Sequence, residues 1–449
     1  MKNIIHVVLL ISLAVSLVSC EDFLDAKPQR SLVIPDELRE YQAILDAVPR
    51  QMNYAPKNPL LGSDEMLLGQ FALTRLNQED LSTYRWEEGH YTINDFGVDW
   101  TLGYQSIYYA NVVLDGLKQF RPQNESDRLE ALRLEASARF YRAWAHFYLL
   151  QIYAEPYTPS NPKQQGIPIR LTADINNSTT ISSQKEVYEF ILNDLSLAKS
   201  HLPAISELKT RPSQWAVEAL KSRVYLQMQD YPRALEAADQ ALEIGDRLMD
   251  YKNTPSVGRY FFPRFNPEVI FHADLATTGY TFNREQWVDP TLYALYERED
   301  LRRTIYFQVS RVAGLFNFVA RYSGDFVEWG GLATDEVLLT RAESAFRTGN
   351  EPMALADLNF LLKNRYSAKF EPLVLSGRDL LKRILEERRK ELVFRGLRWM
   401  DLRRLNQDLE WAITLRRVVS GKEFVLEPGG RGYTIPIPPR ELKNNPSLK

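Results

Sequence analysis

The chain has 449 residues, 45% of them apolar, and a formal net charge of −3 with no long run of one sign. That balance argues against nucleic acid as the main partner, and the apolar fraction is enough for a large core in one big domain or a few smaller ones. A single cysteine, Cys20, excludes an intramolecular disulfide and any zinc site built on several thiolates.

In chain order, the first feature is Lys2, followed by an apolar run from Ile4 to Val18. At about fifteen residues the run is short for a bilayer span and suits a signal-peptide core. Leu17-Val18-Ser19-Cys20 resembles a bacterial lipobox, with Val18 a loose fit to its second position. The resemblance implies lipid attachment at Cys20 and cleavage before it, so that several acyl chains anchor the remainder. Residues 1–19 then read as a lipoprotein signal peptide; an ordinary signal peptide or a buried N-terminal helix is the plainer alternative. Glu21 and Asp22 resemble the acidic tag of surface-exported lipoproteins. No later stretch approaches about eighteen uncharged apolar residues, so no transmembrane helix is expected.

Residues 20–35 carry Pro28 and Pro35 and read as a tether. Asp36 is placed to cap a short helix over "DELREYQAILDAV", with Leu38, Tyr41 and Leu45 on one face. Residues 49–98, rich in Pro, Gly, Asn and aromatics, read as irregular. Helical spacing of apolar residues predicts long helices over "WTLGYQSIYYANVVLDGLKQF" and "SDRLEALRLEASARFYRAWAHFYLLQIYA". "GIPIRL" reads as a strand or extended turn. "SQKEVYEFILNDLSLAKSHL" and "RPSQWAVEALKSRVYLQMQDYPRALEAADQALEI" predict three more helices.

Residues 221–242 align without a gap on 341–362. Each copy has a helix, a turn (Asp230-Tyr231-Pro232 and Asn350-Glu351-Pro352), then Ala-Leu opening a second helix. Proline at the start of both second helices suits the first helical turn. The pattern resembles a tetratricopeptide helix-turn-helix. Copies so far apart predict a helical scaffold with long insertions. Residues 251–335 read as loop-rich and aromatic, helices resume over 335–365 and 376–406, and proline keeps the tail "FVLEPGGRGYTIPIPPRELKNNP" extended.

Five blocks in this order resemble the SusD/RagB family of outer-membrane nutrient-binding lipoproteins: "CEDFLDAKP", "WTLGYQSIYYANVVLDGL", "EASARFYRAWAHFYLLQIYAEP" with "GIPI", "ILEERRKELVFRGLRWMDLRRL", and "YTIPIPPRELKNNPSL". Two positions depart from it. Arg395 stands where an acid is usual before Gly396, and Ala154 where a Gly is common; both are expected to alter local packing. The resemblance implies a mainly α fold, with four tetratricopeptide-like units as scaffold and an irregular ligand-binding portion. Residues 20–449 would form one SusD-like domain: a helical part to 250, a loop-rich ligand region over 251–335, and a final unit, helix and extended tail over 336–449. The implied partner is a SusC-like TonB-dependent transporter, capped by a hinged lid that hands over oligosaccharides or peptides. The implied location is the outer membrane, lipid-anchored and facing outwards.

Flat sugar faces pack on Trp or Tyr rings while nearby polar groups bond the hydroxyls, so loop aromatics are the candidate ligand surface. Tyr84, Trp86 and Tyr91 lie in one loop. Tyr280, Phe282, Arg284 and Trp287 lie in a second, and Tyr322 and Trp329 flank Asp325 in a third. Each is weighed against a small aromatic cluster beneath its loop. Asp64, in "LGSDEM", resembles a family position near the ligand face. Trp100, Trp144, Trp215 and Trp399, in helices, are expected in the core.

Glu387 and Glu391 share a helix face, a spacing that invites a general acid/base reading. Crowding by Arg389, Arg395 and Arg398 favours an ion-pair network with Trp399 packed beside it. His90, His146, His201 and His272 show no metal-ligand spacing, and His146 reads as an interior residue. No H-E-x-x-H, G-x-S-x-G, Walker A or G-x-G-x-x-G occurs. The expectation is a binding protein without catalytic residues, metal or cofactor. A surface glycoside hydrolase lipoprotein, which needs only two suitably spaced carboxylates, is the main alternative. A peptide-binding RagB-like member and a purely structural scaffold are the others.

Overall fold

The computed structural model describes residues 35–47, 52–93, 95–253, 261–276 and 284–448. The apolar leader, Cys20, the tether before residue 35, Tyr280 and Phe282 lie outside these residues. Numbering the longer helices in chain order gives α1 Leu38–Leu45, α2 Gln78–Arg85, α3 Val98–Gln119, α4 Glu125–Tyr153, α5 Gln184–Lys199 and α6 Gln214–Gln227. There follow α7 Tyr231–Ile244, α8 Thr334–Arg347, α9 Glu351–Arg365, α10 Gly377–Glu391 and α11 Arg398–Leu405.

The scaffold follows its sequence signals closely. Helix α4 opens where Asn124 accepts the Asp127 N–H at 2.9 Å, and α5 opens on Ser183, whose hydroxyl accepts from Glu186 while Glu186 reaches back to the Ser183 N–H. The two sequence repeats are two matching helix pairs, α6–α7 and α8–α9. Asp230 and Asn350 accept the N–H of Arg233 and Met353, both at 3.2 Å, and Pro232 and Pro352 occupy the first turn of α7 and α9. Though 120 residues apart in sequence, the copies meet in space, because α7 packs on α8. Arg341 of α8 forks onto Asp357 of α9 at 2.7 and 2.8 Å and reaches Asp239 of α7 at 3.0 Å. Small residues let α3 and α4 nest: a Cβ at Gly103 would stand 2.8 Å from the Leu149 side chain. Trp100, Trp144, Trp215 and Trp399 are buried, as expected.

Three expectations need correction. Helix α1 is not capped by Asp36. Its first turn is closed by Glu40, whose carboxylate accepts the N–H groups of Asp36 and Glu37 at 3.0 and 3.3 Å. Residues 49–98 are not simply irregular: they hold α2, the short helices Asn58–Gly62 and Gln70–Leu73, and the strands Tyr54–Ala55 and Met66–Leu68. The tail is not all extended either. Its start is extended, as the second strand of a hairpin between Leu415–Val419 and Lys422–Leu426, but Pro439 starts a helix, Pro439–Asn444, instead of preventing one.

The loop-rich middle is stitched to the early segment by short strands. Tyr54–Ala55 runs parallel to Asp274–Leu275, and Met66–Leu68 pairs antiparallel with Gln286–Val288. Phe307–Val309 pairs with Phe316–Phe318 beside them. One apolar core is continuous from Tyr41 to Ile435, with a smaller cluster between α8, α9 and α10. No helix among the described residues is long and apolar enough to cross a membrane.

Candidate ligand-binding site

The pairing of Met66–Leu68 with Gln286–Val288 sets the site. Strand side chains alternate, and here Met66, Leu68, Gln286 and Val288 point inward and are buried. Leu67 and Trp287, directly opposite one another, are left on the outer side and half-buried. The Trp287 Nε1–H donates to Ser310 Oγ at 2.8 Å, which fixes the ring plane. Gly69 is required beside it, since a Cβ there would come 2.7 Å from the indole. The Phe71 N–H donates to Glu285 Oε2 at 2.8 Å, so the 54%-exposed Phe71 ring belongs to the same face. Arg75 lies over that ring at 5.0 Å. Arg284 is exposed alongside, its carbonyl and that of Gln286 held by Asn317 Nδ2 at 3.0 and 2.6 Å. The result is a shallow face with two rings and the Arg75 guanidinium on a rigid base, next to the exposed Arg284.

Four other expected aromatics are buried beneath the surface. The Tyr84 hydroxyl oxygen accepts the Leu68 N–H at 2.8 Å. Trp86 takes a left-handed φ of 56° at the end of α2 and donates from Nε1 to the Gly62 carbonyl at 2.7 Å. Arg417 lies against both rings, at 3.9 and 4.5 Å, and donates to the carbonyls of Tyr84 and Ser63. Tyr322 donates to Glu268 Oε2 at 2.5 Å, and Arg395 covers its ring at 4.0 Å and that of Trp329 at 5.3 Å. With ring faces covered, Tyr84, Trp86, Tyr322 and Trp329 support the surface instead of lining it. Tyr91 is half-buried beside Gly97, and Asp325 is exposed on its own turn, accepting the Phe326 N–H at 2.7 Å.

Asp64 is an ion-pair acceptor. Arg398 reaches it at 2.8 and 3.1 Å and Arg389 at 3.0 Å. Burial pushes its carboxyl up, but the two guanidinium groups outweigh that and hold it below the usual carboxylate range. Its neighbour Glu65 goes the other way. Burial and the Asp64 charge raise it to about 8, against a 3.1 Å bond from the Phe394 N–H.

Glu387 and Glu391 form an ion-pair network, with partners other than those expected. Arg302 forks onto Asp300 and bonds Glu387 at 2.6 Å and Glu391 at 2.8 Å. Arg365 joins Glu391 to Glu268 at 2.7 and 2.9 Å. Arg389 and Arg398 serve Asp64, while Arg395 forks onto Asp335 at 2.9 and 2.7 Å. Glu268, Asp335 and Glu391 bring oxygens within 4.8 Å of one another, and Arg365 and Arg395 already occupy them, Arg365 on Glu268 and Glu391 and Arg395 on Asp335. His146 is interior: its Nδ1 lies 2.8 Å from the Arg142 carbonyl, and burial lowers it to about 3.

The sequence reading missed Phe71, Arg75 and Arg417. The first two had a signal, an aromatic and an arginine four apart just after a glycine. Arg417 had the period-two pattern of "LRRVV", in a stretch between the last expected helix and the tail that was given no element.

Comparison with known proteins fits this architecture. The family described as "Starch-binding associating with outer membrane" matches residues 22–226, and "SusD family" matches residues 334–449. The chain belongs to the SusD/RagB family. Family relatives include SusD-like protein P25 of Formosa agariphila, 22% identical over 60% of this chain and 52% of that one. SusD-like protein P2 of the same organism is 24% identical over 84% of this chain and 85% of that one. The chain thus spans about half the length of the first relative. Among solved structures, a SusD superfamily protein from Bacteroides thetaiotaomicron superposes with a TM-score of 0.74 at 21% identity, covering 92% of this chain and 99% of that one. A laminarin-binding SusD-like protein superposes with a TM-score of 0.65 at 20% identity, covering 91% and 97%. SusD family proteins are outer-membrane associated, and the helical scaffold described above is their tetratricopeptide-like fold.

Proposed function

We propose that this chain is a glycan-capturing lipoprotein of the cell surface, anchored through Cys20. It would cap a SusC-like TonB-dependent transporter and hand over oligosaccharides without altering them. One observation carries the reading: the half-buried Trp287 ring, fixed by Ser310, lies beside the segment that carries the exposed Phe71 ring with the Arg75 guanidinium over it. Such a face offers apolar area to sugar C–H groups and donors to hydroxyls. The family description and the laminarin-binding structural relative support a glycan as ligand. Glu387 and Glu391, the carboxylates that invited a hydrolytic reading, are buried against arginines and out of reach of a polymer.

Within this reading, residues 20–449 act as one unit, and the ligand face is shared between Trp287 of the 251–335 region and Phe71 and Arg75 of the early segment. Affinity electrophoresis in gels containing laminarin or soluble starch tests it, run beside an assay for released reducing ends. The protein is expected to be retarded with no release, and Trp287→Ala to lose most of the retardation. Unchanged retardation of that variant would remove the site assignment. Release of reducing ends would favour the hydrolase alternative. Mass spectrometry of the native protein should find acylated Cys20 as the first residue.

A further inference from the structure

A second concavity, of about 350 Å³, lies between α3, the loop from Pro168 to Thr179 and the C-terminal segment. It shares no lining residue with the Trp287 face. Helix α3 presents Trp100, Tyr104 and Tyr108 four residues apart on one side. Burial falls off along that row. Trp100 is interior, edge-on to Tyr153 at 4.9 Å and tilted against Tyr104 at 4.6 Å. Tyr104 is half-buried and donates to the Pro168 carbonyl at 2.9 Å. Tyr108 is 42% exposed at the lip.

The opposite wall is built, not loose. Arg170 donates to the carbonyls of Asp174 and Asn177, both at 2.7 Å, and to Thr179 Oγ1 at 2.5 Å, closing the loop on itself. Asn111 of α3 ties that loop down by donating to the carbonyls of Arg170 and Thr172 at 3.0 and 3.2 Å. The C-terminal segment completes the groove. Ser447 Oγ donates to the Thr179 carbonyl at 2.8 Å, and Arg440 covers one face of Phe96 at 3.5 Å. Gly97, at φ 68°, lets the chain turn into α3 where a Cβ would stand 2.7 Å from Pro438.

The lining chemistry selects a ligand class. Arg170 uses its terminal nitrogens on the loop, and Glu441 accepts from Asn445. What remains around the rings of Phe96, Tyr104 and Tyr108 is uncharged: Ile175 and Leu448, the amide of Asn444, and the hydroxyls of Thr101, Thr172 and Thr179, each of which already makes a bond within the protein and keeps lone-pair capacity. An anionic ligand would find no uncommitted cation there, and a wholly apolar one would leave hydroxyls and amides facing it. A neutral saccharide suits this lining, with C–H faces on the tyrosines and hydroxyls bonding Asn444 and the remaining lone pairs of the threonine oxygens. We propose that this groove is a second neutral-glycan site, gripping the chain at a point separate from the Trp287 face. The inference rests on the reading that the protein binds glycans.

The test is the same electrophoresis in laminarin and soluble starch, with Tyr108→Ala, Trp287→Ala and the double variant. Two sites predict that each single variant keeps partial retardation and that the double variant loses it. Tyr108→Ala alone should weaken affinity about fivefold to tenfold, the usual worth of one stacked ring. Tyr108→Phe should behave as the parent, because the ring and not the hydroxyl is invoked. Tyr108 stands at the lip, so the variant's melting temperature should match the parent's, which separates lost binding from lost fold. If Tyr108→Ala changes nothing while Trp287→Ala removes all retardation, the second site is overturned and the first stands. If the parent itself is not retarded in either gel, both fall.

Discussion

The Arg417 guanidinium lies 3.9 Å from the centre of the Tyr84 ring and donates to the carbonyl of that same residue. The Trp86 ring is also close, at 4.5 Å, and a further donor reaches the Ser63 carbonyl. The accepting carbonyls close the ends of α2 and of the short helix before Met66–Leu68. One planar cation therefore holds two helix ends and two rings directly behind the strand that carries Leu67. A lysine cannot make the same fork. Arg417→Lys is expected to lower the unfolding free energy by about 2–4 kcal/mol. Urea denaturation checks this, and a variant as stable as the parent would show that the fork is dispensable.

Tyr322 and Trp287 should separate stability from binding. Tyr322→Phe removes a buried hydroxyl that donates to Glu268, leaving that carboxylate short of a donor. A loss of about 1–3 kcal/mol is expected, with glycan retardation intact at a temperature where the variant is folded. Trp287→Ala should show the reverse pattern. Loss of retardation in folded Tyr322→Phe would return that ring to the ligand surface.

Glu65 predicts an alkaline weakness. Burial, then the Asp64 charge, raises its folded value from 4.5 to about 8. The folded protein thus keeps a proton that the unfolded chain releases from about pH 4.5. Stability is unaffected below that point, falls as pH rises towards 8, and levels off above it. Each pH unit in that window is worth up to about 1.4 kcal/mol. Asp99, which burial raises to about 7, acts in the same direction. Glu65→Gln keeps an acceptor for the Phe394 N–H, so its melting temperature should decline less than the parent's between pH 5 and about 8.5. Parallel curves for the two proteins would place the titration elsewhere.

Arg302 is fully buried among Asp300, Glu387 and Glu391. Replacing it with methionine leaves those carboxylates short of their shared cation. Removing one partner from a buried ionic group costs about 3–5 kcal/mol. Arg302→Met should therefore express poorly or melt far below the parent, whereas Arg378→Met, at an exposed pair with Glu410, should be nearly neutral. Comparable melting of both variants would contradict the network's role.

The scaffold was legible because helices announce themselves locally. Asp230 and Asn350, each with proline two residues on, marked matching turns that the fold reproduces. The site was less legible because its parts are short and distant. Met66–Leu68 shows a single alternation, too little to register as a strand, and its partner strand lies some 220 residues further on. Residue type could not rank the aromatics either. Trp287 and Trp329 look alike in sequence, yet one is half-buried on an outer face and the other lies under Arg395. Trp287 takes the outer side of a two-strand pair, whereas Trp329 sits at an isolated bridge to Asp274.

Asp64 and Arg398 stand 334 residues apart yet share a fork of hydrogen bonds, and the Ile435 N–H closes on the Ile152 carbonyl at 2.9 Å. During translation, the early portion must wait for the last fifth of the polypeptide to emerge before its charges meet their counterparts. An unfinished chain would keep those carboxylates hydrated and its ring-rich segments unpaired.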